Sequence, residues 1–294
     1  MKQLIIIGGA TASGKTNLAI QLATYFQTNI LSCDSRQCYK ELSIGVAKPS
    51  IEELNQIPHF FINSHSIHQE VNVGIFEQYA LQALDTIFQK NDYAIAVGGT
   101  GLYIKALQQG IDAMPPIDAK LKEEIEKKYE TIGLQWLQET LQQNDPLAFD
   151  SIDIHNPHRM LRALIFFLTH KQSIITFQKK SFKQRPFKTT LFTIAIERET
   201  LYGRINNRVE HMMQLGLLEE AKDLYAYKNI KALQTVGYTE LFDYLDKKYT
   251  LAEAIEKIKQ HTRQYAKRQN TWFAHQTQSI QIKEYNEILS FLKT

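Results

Sequence analysis

The chain contains 294 residues, of which 44% are hydrophobic and 22% charged, and its formal net charge is only +3. This ordinary globular composition excludes a disordered chain, and the length suffices for one large domain or a core domain with a smaller insert. No apolar run reaches the roughly 18 residues that a membrane-spanning helix requires, so we expect no membrane partner. The amino terminus leads directly into an apolar run without a cleavage site, which indicates a cytoplasmic protein.

The first half of the chain contains three short runs of β-branched residues, each followed by a polar or glycine-rich loop. They lie at residues 3–7, 29–33 and 93–97, and a helical pattern separates the first two. Apolar strands that alternate with helices are typical of a parallel α/β sheet. A fourth run, at 189–196, extends this sheet, and the chain after it is mostly helical in pattern. Because ligands bind beyond the carboxyl ends of such strands, we expect the loops to surround one crevice.

A segment of different character lies between the third and fourth runs. It combines charged and apolar helical patterns, and prolines stand at both borders, at residues 115–116 and at Pro186. We therefore predict a discontinuous core formed by residues 1–111 and 187–294, with a helical insertion domain at residues 112–186.

The loop after the first run matches the pattern G-x-x-x-x-G-K-[ST], and it lies between a predicted strand and a predicted helix, as this motif requires. Backbone N–H groups and the helix amino terminus are expected to surround phosphate groups. Lys15 supplies a positive charge, and Thr16 is placed to hold Mg²⁺. The motif predicts a bound polyphosphate, which need not belong to a nucleotide. The predicted phosphate-binding residues are Gly9, Ala10, Thr11, Ala12, Ser13, Gly14, Lys15 and Thr16.

Asp34 directly follows the second run, and its position alone is compatible with three roles. As the carboxylate of a Walker B strand it would order Mg²⁺ in a nucleotide hydrolase or kinase. As a general base it would face the acceptor of a group transfer. As the first residue of an Asx turn or as a helix cap it would only shape the exit from the strand.

Basic residues cluster in two places, between residues 171 and 188 and at residues 257–268. Positive charge interleaved with aromatic residues is typical of a surface that binds nucleic acid, although a solvated helix face has the same composition. In the second cluster Lys259, Arg263 and Lys267 recur every four residues, which predicts one basic stripe along a helix.

Further motifs follow the glycine-rich loop along most of the chain. The second run continues into DSRQCYK and SIGVAKP, and the third run ends in GGTGLY. Later segments are HNPHRMLRAL, a helix-like stretch that contains RINNRV, then QTVGYTE and TRQYAKRQNTWF. The segments lie at residues 34–40, 43–49, 98–103, 155–164, 197–221, 234–240 and 262–273. In content and in order these motifs resemble the tRNA dimethylallyltransferase (tRNA isopentenyltransferase) family.

This resemblance implies a P-loop NTPase-like parallel sheet flanked by helices, with a helical insertion domain that contacts tRNA. It implies an enzyme that moves a dimethylallyl group from dimethylallyl diphosphate to N6 of the adenine 3′ to the anticodon, giving N6-isopentenyladenosine and diphosphate. The implied partners are the tRNA anticodon stem-loop and dimethylallyl diphosphate, with Mg²⁺ as cofactor and the protein as a monomer. The adenine has to leave the stack of the anticodon loop to be reached.

The resemblance also implies roles for individual residues. Asp34 matches the general base, and Thr100 matches a position close to the acceptor and the diphosphate. Arg198 and Arg204 match arginines that approach the diphosphate, whereas Arg208, one turn later, is left as an exposed or tRNA-contacting residue. The residues implied in tRNA binding are Asp34, Ser35, Arg36, Gln37, Thr100, Arg159, Met160, Leu161, Arg162, Ala163, Gln234, Gly237, Tyr238, Arg263, Lys267, Arg268, Gln269 and Trp272.

Five positions depart from the family pattern. Ala10 stands where proline is most frequent. Phe60 and Asn63 replace a histidine and an aspartate, so no role is carried onto that segment. Ile165 and Ala274 stand where a glutamate and an arginine are usual. These last two changes each remove a polar contact, and we expect them to affect the fit of tRNA rather than the reaction.

Three other functions compete with this interpretation. A small-molecule kinase would use Asp34 as a Walker B carboxylate, but the arginine-rich lid for a γ-phosphate is not evident in the sequence. A prenyltransferase acting on free adenine nucleotides would not need the helical insert or the basic stripe. A non-catalytic RNA-binding module would not need Lys15 and Asp34 at one crevice.

Overall fold

Six parallel strands form a single sheet in the computed structural model, which describes residues 1–177, 182–275 and 279–293. The strands are β1 Gln3–Gly8, β2 Ile30–Ser32, β3 His59–Phe60, β4 Tyr93–Gly98, β5 Lys188–Ile194 and β6 Ser279–Ile282. Their order across the sheet is β3-β2-β4-β1-β5-β6, so β1 lies between β4 and β5. The predicted parallel α/β sheet is therefore confirmed.

Helices cover both faces of this sheet. Leu4 and Ile6 of β1 pack into one apolar cluster, and Ile5 and Ile7 pack into another on the opposite face. Burial on both faces explains why the central strands are almost uninterrupted apolar runs. Among the described residues, no helix combines the length and the hydropathy needed to span a bilayer. The helices are α1 Lys15–Tyr25, α2 Ile51–Gln56, α3 Val73–Phe88, α4 Gly101–Gln109, α5 Ala119–Ile132, α6 Leu134–Asn144, α7 Pro146–Ser151, α8 Pro157–His170, α9 Ile174–Phe177, α10 Arg198–Gln214, α11 Leu217–Leu224, α12 Tyr238–Leu245, α13 Leu251–Ala274 and α14 Tyr285–Lys293, with short 3-10 helices at Tyr225–Tyr227 and Lys231–Leu233.

The sequence predicts neither of the two edge strands. β3 has only two residues, and β6 buries only Ile282, so neither carries a recognisable hydrophobic pattern. β6 pairs in parallel with β5 and extends the sheet into the carboxyl-terminal region, which is otherwise helical as expected.

The parallel register brings the carboxyl ends of β1, β2 and β4 to the same edge of the sheet. Gly8 pairs with Gly98, and Ser32 pairs with Val97. The chain after β2 is held there by a hydrogen bond from the Cys33 N–H to the Val97 carbonyl at 2.7 Å. A Cβ on Gly98 would lie 2.3 Å from the Cys33 carbonyl oxygen, so this approach requires glycine. The loops that follow the three strands are therefore neighbours.

Contacts between Cα atoms divide the chain into two compact units, Met1–Gln109 with Gln184–Thr294, and Gly110–Lys183. The second unit begins at Gly110 rather than at 112 and ends at Lys183 rather than at 186. It contains α5 to α9, which surround an apolar core of their own. Of the basic cluster predicted between residues 171 and 188, Lys179 and Lys180 lie outside the described residues.

Helix α8 illustrates how the second unit is built. Asn156 caps the helix by accepting the Arg159 N–H, and Pro157 occupies the first helical position, where no N–H is needed. One face of α8 is buried, and Ile165 is 2% exposed within the core. The departure from the family's glutamate at this position therefore adds apolar packing to the unit.

A buried ion pair ties together the two chain segments of the first unit. Arg185 pairs with Glu77 of α3 at 2.6 Å, and the two side chains are only 8% and 9% exposed. Arg185 also donates to the carbonyls of Leu107, at 2.9 Å, and Ala106 in the last turns of α4. Because a buried charge is stable only when it is paired and hydrogen bonded, this cluster fixes the chain on both sides of the break in the core.

Replacing Arg185 with alanine should lower the free energy of unfolding by about 3–5 kcal/mol, since the buried Glu77 carboxylate loses its arginine. Urea denaturation followed by circular dichroism measures the change. The matched control is Lys222→Ala, which removes an exposed pair with Glu219 and should leave the free energy of unfolding nearly unchanged. A loss in Arg185→Ala no larger than in this control would contradict a structural role for the buried pair.

Candidate active site

The glycine-rich loop joins β1 to α1 and presents backbone N–H groups at the carboxyl edge of the sheet. Gly14 precedes α1 with a φ of +96°, and no side chain caps the helix, so the first N–H groups of α1 can bind an anion. The Ser13 hydroxyl is buried and makes no hydrogen bond within the described chain. A bound phosphate would satisfy this hydroxyl together with the N–H groups around it.

Lys15 is the first residue of α1, and its ammonium group donates to the Ala10 carbonyl at 2.9 Å. Burial lowers the pKa of Lys15 to about 8, while the Asp34 carboxylate acts to raise it and Arg208 acts to lower it. An anion bound by the loop would favour the protonated form of Lys15.

Asp34 follows β2 and forms an Asx turn at the edge of the sheet. Its Oδ1 accepts the N–H groups of Arg36 at 2.8 Å and of Gln37 at 3.3 Å. No described residue donates a hydrogen bond to Oδ2. The Asx turn, one of the three roles compatible with the position of Asp34, is therefore present. It orients the carboxylate through Oδ1 and leaves Oδ2 available to a ligand.

Asp34 lies where two cavities meet. The loop cavity, of about 280 Å³, lies against the glycine-rich loop and contains Lys15 and Thr16 on its wall. The apolar cavity, of about 220 Å³, is lined at its other end by Met212 and Ile258. The residues that line both cavities are Thr11, Asp34, Val46, Ala47, Arg208 and Tyr265. A ligand with an anionic end and an apolar or aromatic end fits this pair of cavities.

Two arginines of α10 reach the glycine-rich loop. Arg204 donates to the Ser13 carbonyl at 3.4 Å, and Arg208 donates to the Thr11 hydroxyl at 3.2 Å. Burial lowers the pKa of Arg208, and the Asp34 carboxylate partly offsets this effect. Arg208 is half-buried and lines both cavities, so it is not an exposed surface residue. Its contact with tRNA stays a prediction.

Arg198 is placed differently from the other two arginines. It is exposed on the first turn of α10, with its guanidinium carbon 5.1 Å from the ring centroid of Tyr202. The hydrogen bonds that connect α10 to the glycine-rich loop come from Arg204 and Arg208.

Gln269 of α13 connects two of the loops at the sheet edge. Its Oε1 accepts the Thr11 N–H at 2.8 Å, and its Nε2 donates to the Gly99 carbonyl at 2.9 Å. One turn later, Trp272 lies against Gly101, where a Cβ would be 2.3 Å from the indole ring. Gln269 is 6% exposed and hydrogen bonded within the protein, so it supports the two loops, and it also lines the loop cavity. Its predicted contact with tRNA stays a prediction.

Tyr265, which the sequence does not single out as a site residue, lines both cavities. A hydrogen bond joins its hydroxyl to that of Thr100, whose Oγ1 also accepts the Ser35 N–H at 3.1 Å. Burial and the Asp34 charge raise the pKa of Tyr265 to about 12, so the phenol is protonated at neutral pH. A signal was present in the sequence, since Tyr265 and Gln269 are four residues apart and therefore share a face of α13.

Gln37 is also hydrogen bonded within the protein. Its Oε1 accepts the Ser32 hydroxyl at 3.1 Å, and its Nε2 donates to the carbonyls of Val46 at 3.3 Å and Ala47 at 3.0 Å. Gln37 thus holds residues 43–47, the 43–47 loop, against the turn formed by Asp34.

The other residues predicted to bind tRNA differ in exposure. The side chains of Met160, Leu161, Ala163 and Tyr238 are buried, so they do not reach a ligand in this conformation. Gly237 is also buried, but it lines the apolar cavity. Arg159, Arg162, Gln234, Lys267 and Arg268 are exposed. Arg263 and Trp272 are half-buried, and Arg263 donates to the Asn206 side chain at 2.6 Å.

The predicted basic stripe of α13 is partly occupied by ion pairs. Lys259 is 12% exposed and pairs with Glu210 at 2.5 Å and with Glu256 at 2.7 Å. Lys267 is exposed, as is Arg268, whose guanidinium carbon lies 5.8 Å from the Tyr265 ring centroid. The exposed cations of α13 are therefore Lys267 and Arg268 in its carboxyl-terminal half and Lys257 nearer its start, where Lys257 lies 5.3 Å from the Tyr249 ring centroid.

The remaining departures from the family pattern have local explanations. Asn63 has a φ of +53°, which asparagine tolerates, and it accepts a hydrogen bond from Lys48 Nζ at 2.6 Å. Burial lowers the pKa of Lys48 to about 8, and Glu220 acts to raise it. Phe60 packs against the apolar core, Ala10 is buried against α10 and α13, and Ala274 is exposed at the end of α13.

We expect the binding of inorganic diphosphate to depend on the charge of Lys15. Because the pKa of Lys15 is about 8, the cation that attracts the anion is lost above this pH. The dissociation constant should then rise by up to about tenfold per pH unit, as measured by isothermal titration calorimetry between pH 7 and 9.5. Lys15→Met should bind weakly and lose this dependence.

Lys48→Met is the matched control for this titration, because Lys48 also has a pKa of about 8 but donates its hydrogen bonds to Asn63 and to a backbone carbonyl. It should retain the pH dependence of the unmodified protein. If the dependence survives in Lys15→Met and disappears in Lys48→Met, Lys15 is not the group that binds the anion.

Comparison with known proteins places this site in a family. The family model described as IPP transferase matches residues 37–276. The tRNA dimethylallyltransferase of Cytophaga hutchinsonii is 43% identical over 297 aligned residues, which cover 99% of this chain and 97% of that protein. The tRNA dimethylallyltransferase of Flavobacterium johnsoniae is 44% identical over 279 residues, which cover 93% of this chain and 90% of that protein.

Solved structures show the same similarity. The full-length tRNA isopentenylpyrophosphate transferase from Bacillus halodurans has a TM-score of 0.74 and 32% identity, covering 100% of this chain and 96% of that one. A eukaryotic dimethylallyltransferase acting on tRNA has a TM-score of 0.76 and 29% identity, covering 92% of this chain and 70% of that one. The fold is accordingly P-loop NTPase-like. Since the similarity extends over nearly the whole sequence, the chain belongs to the IPP transferase family, the family of the tRNA dimethylallyltransferases.

Proposed function

We propose that this protein transfers a dimethylallyl group from dimethylallyl diphosphate to N6 of the adenine 3′ to the anticodon of tRNA, producing N6-isopentenyladenosine and diphosphate. The observation that carries this proposal is the position of Asp34 at the junction of the loop cavity and the apolar cavity. A transfer of this kind requires an anion-binding site and a base close together, facing a space that excludes water. We place the reaction in the cytoplasm and the active protein in the monomeric state.

In this reaction the phosphate groups held by the glycine-rich loop belong to the leaving group. Negative charge grows on the diphosphate as the C–O bond to the dimethylallyl group breaks. Lys15, Arg204, Arg208 and the first N–H groups of α1 are positioned around the loop before the reaction begins. Donors that are already oriented lower the barrier because they need no reorganisation in the transition state.

The residues of the loop cavity fit Mg²⁺. Thr16 and Asp34 line the same cavity and carry the oxygen ligands that this ion prefers. Within the described residues no three histidine, cysteine, aspartate or glutamate side chains cluster, and Mg²⁺ needs no such cluster because it is commonly held by few protein oxygens together with phosphate oxygens and water. We propose the Thr16 hydroxyl as its ligand. When bound, the ion would neutralise charge on the diphosphate.

Asp34 is the proposed general base. The N6 amine of adenine is a weak nucleophile because its lone pair is delocalised into the ring. As N6 forms a bond to the dimethylallyl carbon that releases the diphosphate, it gives up one proton, which Asp34 accepts. The Asx turn uses Oδ1, so Oδ2 is the proposed proton acceptor. Ser35 follows Asp34 directly, and its N–H donates to Thr100 Oγ1. Tyr265 lines both cavities together with Asp34, and we propose that these three residues shape the surroundings of the carboxylate.

The adenine reaches Asp34 only after it leaves the stack of the anticodon loop. Arginine and lysine side chains bind the RNA backbone and position it without reading its sequence. The half-buried indole of Trp272 offers a face on which a base can stack. The proposed direct contacts with tRNA are Asp34, Ser35, Arg36, Thr100, Arg159, Arg162, Gln234, Arg263, Lys267, Arg268 and Trp272. Within the second unit, the buried side chains of Met160, Leu161 and Ala163 would support α8. Within the first unit, Tyr238, Gln269 and Gln37 would support the site, and Gly237 lines the apolar cavity.

The proposal is tested by incubating the protein with unmodified tRNA, dimethylallyl diphosphate and Mg²⁺, followed by mass analysis of the tRNA nucleosides. One adenosine per tRNA should gain a dimethylallyl group in place of a hydrogen. A parallel incubation with ATP and small-molecule acceptors tests the competing kinase function. Transfer of phosphate in that reaction, with unmodified tRNA in the first, would overturn the proposal.

Asp34→Asn should lower the rate of dimethylallyl transfer on the order of 10²–10⁴-fold in single-turnover experiments. The amide oxygen still accepts the Arg36 N–H and preserves the turn, but it cannot take the proton from N6. Binding of inorganic diphosphate and of tRNA should be retained. Asp92→Asn is the matched control, because Asp92 is exposed and precedes β4 at the opposite edge of the sheet. Near-normal transfer by Asp34→Asn would exclude Asp34 as the base.

The double variant Lys267→Glu with Arg268→Glu should weaken tRNA binding and reduce its salt dependence. The slope of log Kd against log salt concentration should fall by about 1 for each phosphate contact that is lost. Filter binding at several salt concentrations measures both effects. Lys90→Glu, an exposed change just before β4, should leave both unaltered. If the double variant binds tRNA as Lys90→Glu does, this part of α13 is ordinary solvated surface.

A further inference from the structure

Glu220 of α11 accepts four hydrogen bonds from two distant parts of the chain. Its Oε2 accepts the N–H groups of Ser43 at 3.1 Å and Ile44 at 2.9 Å. Its Oε1 accepts the N–H of Gly45 at 2.9 Å and the hydroxyl of Tyr238 at 2.6 Å. Charge-assisted hydrogen bonds of this kind are strong, so one carboxylate fixes three successive N–H groups at the start of the 43–47 loop.

Tyr238 holds the same loop from the other side. Its side chain is fully buried, and a Cβ on Gly45 would lie 2.6 Å from its ring, so the backbone at Gly45 approaches the phenol closely. Burial and the charge of Glu220 raise the pKa of Tyr238, which keeps the phenol protonated as a donor. The 43–47 loop is therefore held by a clamp, formed by the Glu220 carboxylate and the Tyr238 ring together.

Beyond this clamp the loop enters the site. Val46 and Ala47 line both cavities, and their carbonyls accept the Gln37 side-chain amide. Ala47 has a φ of +49°, which is unfavourable for alanine and persists only where the surroundings hold it. The Gln37 N–H in turn donates to Asp34 Oδ1 at 3.3 Å. A continuous series of contacts thus leads from Glu220 to the carboxylate at the junction of the cavities.

We propose that Glu220 is a positioning residue for the transfer reaction. Through the 43–47 loop, Glu220 fixes the positions of Val46 and Ala47, which line the apolar cavity that would receive the adenine. Through Gln37, it also fixes the orientation of the Asp34 carboxylate. This inference rests on the proposed function, because it concerns the placement of the adenine. The hydrogen bonds of Glu220 lead to the 43–47 loop and to Tyr238, whereas the glycine-rich loop is held by Gln269, Arg204 and Arg208. Val46 and Ala47 also line the loop cavity, but the groups proposed to hold the diphosphate belong to the glycine-rich loop, α1 and α10. Use of the tRNA should therefore depend on Glu220 far more than diphosphate binding does.

The test compares four variants by steady-state kinetics, with kcat and KM determined separately for tRNA and for dimethylallyl diphosphate. Glu220→Ala removes all four acceptor contacts, and Glu220→Gln keeps one carbonyl oxygen. Tyr238→Phe removes a single donor while leaving the ring in place. Glu219→Ala is the matched control, since Glu219 is the exposed neighbour on α11 and pairs only with Lys222 among the described residues. Inorganic diphosphate binding and thermal melting are measured for each variant.

Glu220→Ala should lower kcat/KM for tRNA on the order of 10²-fold, because a displacement of about 1 Å in the reacting groups has an effect of this size. KM for dimethylallyl diphosphate and the affinity for inorganic diphosphate should stay within about twofold. Glu220→Gln should recover part of the loss, Tyr238→Phe should show a smaller loss in the same direction, and Glu219→Ala should match the unmodified protein. If Glu220→Ala does not fold, Glu220→Gln and Tyr238→Phe decide the question.

Unaltered use of tRNA by the folded Glu220 variants would overturn the positioning role. So would an equal loss of diphosphate binding, or a fall in activity that follows only the fraction of folded protein. The unmodified protein in the same assay separates this outcome from failure of the proposed function. If the unmodified protein transfers no dimethylallyl group, the function is wrong. If it does and the variants equal it, only the role of Glu220 is wrong.

Discussion

The site depends on the parallel register of β1, β2 and β4, which brings the loops after three strands to one edge of the sheet. Gly98 makes this register possible, because any side chain there would collide with the Cys33 carbonyl. The glycine-rich loop, the Asp34 turn and the Thr100 hydroxyl belong to different segments of the chain, yet they become neighbours through backbone pairing alone. Their relative positions are therefore set by the pairing of the strands that precede them.

A second support comes from helices that follow the sheet in sequence. Gln269 bridges the glycine-rich loop and the loop after β4, and Arg208 reaches from α10 to the Thr11 hydroxyl. Two cations, Lys15 and Arg208, interact with one carboxylate, Asp34. These groups lie in partly buried surroundings, where charge interactions are stronger than in water. Burial lowers the pKa of both Lys15 and Arg208, because desolvation disfavours their charged forms, and the Asp34 carboxylate partly offsets this effect. Under the proposed function, these cations would stabilise the negative charge on the departing diphosphate.

Most of the fold could be predicted because its signals are local. Buried central strands produce apolar runs, and the loop motif requires a strand before it and a helix after it. The edge strands could not be predicted, since two residues in β3 and one buried side chain in β6 produce no periodicity.

Prediction of the site was limited in a different way. Gln269 and Tyr265 lie in a segment whose basic residues suggested contact with RNA, but the hydrogen bonds of these two residues reach loops more than 160 positions away. Sequence spacing contains no information about such partners.

The sequence by itself determined the residue types on which the chemistry depends: a phosphate-binding loop, a carboxylate at the end of a strand, and arginines one turn apart on a helix. It also determined the family, because ordered motifs over most of the chain are specific even without a structure. Only the tertiary structure decided which of these residues meet. It placed Arg208 beside Asp34, used Gln269 and Gln37 as internal supports, and joined Glu220 to the wall of the site. The physical reason is that residue type sets what a side chain can do, whereas burial and hydrogen-bond partners are fixed by packing between segments that are distant in sequence.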